Sequence, residues 1–156
     1  MKIHRKNCAA VALLSLVLTV MVRQATGAEI VYTDRELVRY DNGLVYDTET
    51  GLEWYAGPDR GMSWREASDW VAGLEALGGG WRMPTRKELK ALHRIGDGVN
   101  NITYLLYNSG YWIWAGQTPD ESARWIFSFS YGGEGWPGFP PADGGRVIAV
   151  RPRRVY

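Results

Sequence analysis

The sequence predicts an α+β domain in which antiparallel strands from both ends of the chain enclose two short helices and long loops. Three observations carry this. Leu37-Val38-Arg39-Tyr40 and Leu44-Val45-Tyr46 flank Asp41-Asn42-Gly43, and Asn-Gly is a strong hairpin signal because both residues tolerate positive φ. Two capping boxes, Ser63-Trp64-Arg65-Glu66 and Thr85-Arg86-Lys87-Glu88, each open a run of helical spacing. Three strand-like runs then close the chain at Tyr111 to Ala115, Arg124 to Tyr131 and Arg146 to Arg151.

Each element has its own local cause. After the hairpin, Asp47 to Gly51 forms a second turn and leads to a short strand at Leu52 to Tyr55. In the first helix Trp64, Ala67, Val71 and Leu74 share one face, and Leu77-Gly78 ends it. In the second helix Leu89, Leu92 and Ile95 form the buried stripe and Gly96 is the stop. The helical period is lost from Gly96 to Tyr111, which reads as a long loop. From Trp125 to Tyr131 aromatic and smaller residues alternate, the period of a half-buried strand. Gly132 to Gly145 carries too many Gly and Pro residues for a helix or a central strand, so Trp136 and Phe139 lie on a loop, displayed or folded back over the sheet.

The first residues predict export. Lys2, Arg5 and Lys6 precede a mostly apolar run from Ala9 to Val22, and Thr26-Gly27-Ala28 offers a small-residue cleavage site. The run is shorter than the ~20 residues of a spanning helix, so a signal peptide over 1–28 is favoured over an uncleaved anchor. A single domain over 29–156 remains, with no stable membrane span. Cleavage removes four basic residues and no acidic one, so 14 basic residues face 17 acidic ones, a net charge of −3. That balance excludes a strongly basic nucleic-acid binder. The only cysteine, Cys8, also leaves, so the mature chain holds together without disulfides.

Several stretches recur together in a known family. They are Arg39-Tyr40-Asp41-Asn42-Gly43, Val45 to Trp54, Ser63-Trp64-Arg65-Glu66-Ala67, Trp81-Arg82-Met83-Pro84-Thr85-Arg86-Lys87-Glu88-Leu89, Tyr111-Trp112 and Val150-Arg151-Pro152. In order and spacing the chain resembles the C-terminal domain of the Legionella collagen-like adhesin over about Arg39 to Arg153. The resemblance implies a C-type-lectin-like fold, a trimeric and therefore homo-oligomeric partner, and binding of glycosaminoglycan and matrix protein. The adhesin's collagen-like region and the family's frequent cysteines are absent from this sequence.

Trp81 to Thr85 reads as a helix start, with Pro84 keeping Met83 extended, Thr85 as cap and Arg82 pairing with a carboxylate on a neighbouring strand. Trp54, Trp64 and Trp70 read as core. His93, the sole mature histidine, has no metal-ligating or nucleophilic partner motif, so no catalytic and no metal residue is assigned. Gln117-Thr118-Pro119-Asp120-Glu121 interrupts the calcium triplet of sugar-binding lectins with a threonine and reads as a solvated acidic turn. The cysteine pair of formylglycine-generating enzymes, which share the fold, is missing. No cofactor is expected.

Two sets of residues suit a ligand. Trp136 and Phe139, with Tyr104, Tyr107 and Tyr111, offer rings that stack on sugars or anchor a protein interface. Arg124, Arg146, Arg151 and Arg153, with Arg154, would suit a sulfated or carboxylated polymer if they converge on one face. The expectation is an exported, non-enzymatic domain at the periplasm or cell surface that binds polysaccharide or surface glycan. The alternative is a protein-interaction subunit docking on a surface or periplasmic protein or on a copy of itself.

Overall fold

Asn42 and Gly43 turn the chain as their residue types require. Gly43 sits at φ 87 and donates its amide to the Tyr40 carbonyl at 3.0 Å, and the Asn42 side-chain oxygen accepts from the Leu44 amide at 3.1 Å. This turn joins β2 (Leu37–Tyr40) to β3 (Leu44–Asp47). The computed structural model describes residues 27–98, 100–110, 112–116, 124–135 and 144–154. The proposed signal peptide falls almost wholly outside them.

A strand not singled out in the sequence, β1 (Ile30–Asp34), lies on the outer side of β2, with an irregularity in its pairing between Ile30 and Tyr32. On the inner side β4 (Leu52–Ala56) pairs with β3, and β8 (Ile148–Pro152) pairs with β4. The result is an antiparallel five-stranded sheet of order β1-β2-β3-β4-β8. A second antiparallel sheet has the order β5 (Trp112–Trp114), β6 (Ile126–Ser128), β7 (Gly133–Gly135). With two capped helices between the strands, the α+β architecture with strands from both chain ends is as expected.

Alternation along the strands builds two cores. Leu37, Val45, Trp54 and Val150 point one way, into a cluster with Leu89, Leu92, Leu105, Leu106, Ile113, Phe127 and Phe129. Leu44, Tyr55 and Ala149 point the other way, toward Ala67, Val71, Trp81, Met83, Trp114 and Ile126. Trp54 is therefore core, whereas Trp64 and Trp70 are half-buried at the margin of the second cluster.

Both helices start where their caps dictate. In α1 (Trp64–Ala72) the Ser63 hydroxyl accepts from the Glu66 amide while Glu66 accepts from the Ser63 amide at 2.7 Å. In α2 (Arg86–Leu92) Thr85 and Glu88 form the same reciprocal pair. Their ends differ from expectation. α1 stops at Gly73, before Leu77, although Leu74 still packs on the second core. α2 stops when His93 turns extended, at ψ 124. The following turn, closed by the Arg94 amide on the Asn101 carbonyl at 2.8 Å, leaves Ile95 88% exposed rather than in the helix stripe.

The aromatic alternation of 125–131 also outlasts its strand. β6 ends at Ser128, whose carbonyl accepts from the Gly132 amide at 2.8 Å, and Gly132 takes φ 67. The chain reverses there into β7, so Phe129 is buried while Tyr131 projects into solvent. Periodicity alone could not detect a turn whose determinant is one glycine.

Candidate functional site

The arginine set does not converge. Arg146 and Arg153 flank β8, so seven residues at about 3.3 Å each separate them, roughly 23 Å. Arg151, between them, points inward. It is 3% exposed, and its Nε donates to Glu53 at 2.7 Å while Nη1 donates to the Leu77 and Gly79 carbonyls at 3.0 and 2.5 Å. Its guanidinium also lies over the Trp81 ring at 4.1 Å. Alternation explains this correction: Arg151 stands opposite Glu53 in the β4–β8 register, and the 76–79 segment covers that pair. Arg151 is a structural residue, removed from the ligand-facing set.

Arg146 is engaged as well. Its Nε donates to Asp59 at 3.0 Å, Nη1 to the Gly144 carbonyl at 3.3 Å and Nη2 to the Ser109 hydroxyl at 3.3 Å. Partial burial pushes the Asp59 carboxyl up. The Ser109 amide and hydroxyl and the Arg146 guanidinium outweigh it and hold the group below its ordinary value. This cluster fastens the 108–110 loop to the segment after β4. Arg124 stacks over Trp64 at 4.3 Å, and Arg153 lies over Tyr46 at 4.4 Å with its residue exposed. Arg154 donates to the Gly78 carbonyl at 2.8 Å.

Arg82 departs from expectation in its partner. It forms a two-pronged pair with Glu88, at 2.8 and 2.5 Å, so its carboxylate comes from the capping box of α2 and not from a strand. Its backbone does reach a strand, bridging Val150 through both amides. His93 sits against Phe127 and Phe129, with ring centroids at 5.9 and 6.3 Å, and its Nε2 is buried without a hydrogen-bond partner. Among the described residues no group of three or more His, Cys, Asp or Glu side chains is placed to hold a metal. Asp120 and Glu121 lie outside the described residues, as do Trp136, Phe139 and Tyr111.

The tyrosines of the long loop are displayed. Tyr104 and Tyr107 are 66% and 50% exposed on either side of the buried Leu105 and Leu106, which anchor a 3-10 turn at Tyr104–Leu106. Thr103 caps this turn by accepting from the Leu105 amide at 3.2 Å. Among the described residues two concavities stand out. A largely apolar one of about 520 Å³ lies between α1 and Trp81 to Thr85. The other, of about 360 Å³, lies between β1 and the 96–105 loop and is lined by both Tyr32 and Tyr104. Sequence reasoning named Tyr104 but missed Tyr32, because nothing local to Tyr32 signals a partner 72 residues away.

Among the described residues no helix is long and apolar enough to cross a membrane. No curated protein and no solved structure matches the chain. The model of the Lcl C-terminal domain family matches residues 43–151, more than two thirds of the chain, and the chain belongs to that family.

Proposed function

We propose that the protein is an exported, adhesin-like domain that binds polysaccharide or surface glycan without catalysing a reaction. Family membership supports an adhesin-like extracellular role. The order of antiparallel strands, two helices and long loops suits the C-type-lectin-like fold that the resemblance implies, and the n-region and apolar run of 1–28 suit export to the periplasm or surface. The observation that carries glycan binding is the display of Tyr104 and Tyr107 on a loop whose neighbouring residues are buried and capped. Rings held this way present flat apolar faces with little entropy left to lose. With Arg151 buried and Arg146 engaged, the weight of recognition moves from the arginines to the aromatics.

A glycan array probed with the purified exported protein, with and without EDTA, tests this reading. Retention of defined glycans that falls for the Tyr104→Ala, Tyr107→Ala variant is expected. A blank array from folded protein refutes it.

One observation favours a protein-interaction subunit as a second reading. β1 is an edge strand whose Ile30, Val31 and Tyr32 are 60%, 44% and 67% exposed, and such an edge can pair with another chain. Light scattering on the purified protein would show a defined oligomer, abolished by Val31→Lys, if that reading holds.

A further inference from the structure

We infer that the groove between β1 and the 96–105 loop is a subsite for an uncharged pyranose unit, clasped between Tyr32 and Tyr104. The inference rests on the glycan-binding reading and gives it a place and a ligand class. At about 360 Å³ the groove falls in the lower part of the range of small-molecule sites, about 300–1,000 Å³, with room for one or two sugar rings. Tyr32 and Tyr104 line it and are each about two-thirds exposed. A single exposed ring on a surface needs no explanation, but two exposed rings lining one groove offer two stacking faces to one ligand.

The walls are tied together before any ligand arrives. The Thr103 hydroxyl donates to Asp34 Oδ2 at 2.6 Å, joining loop to strand. Arg39, beside Tyr32 in the β1–β2 register, donates to the Leu105 carbonyl at 3.0 Å. Arg35 pairs with Asp97 at 3.3 Å, fixing the far side of the loop. A site fastened at three points spends little of its binding energy on ordering itself.

Charge decides the ligand class. Asp34 and Asp97 line the groove, and no Lys or Arg does. Two cations flank the groove and both are committed, Arg35 to Asp97 and Arg39 to the Leu105 carbonyl, so the two carboxylates are balanced by guanidiniums that are already engaged. A sulfated or uronic polymer finds no cation among the residues lining the groove to pair with. Sugar hydroxyls, in contrast, donate well to carboxylates, and charge-assisted bonds of this kind are the stronger ones. The chemistry therefore selects a neutral hydroxyl-rich ring. Tyr32 and Asp34 also precede residues 43–151, so this wall lies outside the family match and belongs to the chain's own hairpin.

Isothermal titration of the exported protein with cellohexaose, maltohexaose, chitohexaose and a heparin hexasaccharide tests the assignment. At least one uncharged hexasaccharide should bind with an affinity that is insensitive to salt. Tyr32→Ala and Tyr104→Ala should each weaken it about tenfold, while Tyr32→Phe retains most of it. Both rings are exposed enough for truncation to leave the fold intact, which circular dichroism checks. If only the heparin fragment binds, or if uncharged binding survives the Tyr32→Ala, Tyr104→Ala double variant, the groove assignment is overturned while glycan binding stands. If no hexasaccharide binds and the array is blank, both fall.

Discussion

Replacing Arg151 with Met separates the structural account of this residue from the ligand-binding one. The substitution keeps the aliphatic stem but removes the guanidinium. Glu53, 6% exposed, is then left as a buried charge whose partner at 2.7 Å is gone. Breaking such a pair costs about 3–5 kcal/mol. The Leu77 and Gly79 carbonyls lose their donor too, and the stacking on Trp81 disappears. Against a total stability of about 5–15 kcal/mol for a domain of this kind, the loss is a large fraction. Urea unfolding followed by Trp fluorescence should show a midpoint shift equivalent to about 3–5 kcal/mol at unchanged m-value. The double variant Glu53→Leu, Arg151→Met removes the stranded charge and should recover a good part of it, leaving a coupling above about 1 kcal/mol in the double-mutant cycle. A stability within about 1 kcal/mol of the parent for Arg151→Met, together with lost retention on heparin, would refute the reasoning and return Arg151 to the ligand-binding set.

Three other expectations follow from the packing. Burial raises the Glu88 carboxyl, but Arg82 and the Thr85 amide and hydroxyl lower it further, so its folded value lies below its ordinary one. Its contribution is therefore fully present above the ordinary carboxylate range of about 4.3 and is lost as pH falls through the depressed folded value. Urea midpoints measured from pH 6 down to pH 2 should fall less steeply for Glu88→Gln than for the parent. A Cβ at Gly145 would strike the Trp114 indole nitrogen, which donates to the Met62 carbonyl at 2.8 Å. Thermal unfolding of Gly145→Ala should show a loss of about 1–3 kcal/mol. His93→Leu removes a ring nitrogen that is buried without a partner. It should unfold within about 1 kcal/mol of the parent or above it, and it should bind glycans unchanged, whereas abolished turnover of any substrate would reopen a catalytic role.

Features that depend on neighbours a few residues apart are legible along the chain. Asn42-Gly43 specifies its turn because positive φ is a property of the residue. Ser63 with Glu66, and Thr85 with Glu88, specify helix starts because the capping bonds span only three positions. The family resemblance was legible for the same reason, since its motifs are mostly these local devices in order. Element ends were less legible: His93 and Gly132 stop their elements through conformations that periodicity does not encode.

Which charged and aromatic groups remain available is set by long-range packing. Arg151 and Arg153 are two residues apart and of one chemical type, yet Glu53, Gly79 and Trp81 enclose the first while the second, just past the end of β8, lies exposed over Tyr46. Tyr32 and Tyr104 line one groove because the β1–β2 hairpin and the 96–105 loop are fastened by Thr103 to Asp34 and by Arg39 to Leu105. Burial and juxtaposition arise from contacts between residues tens of positions apart. No local pattern along the chain carries that information, so folding alone turns a list of candidate side chains into a site.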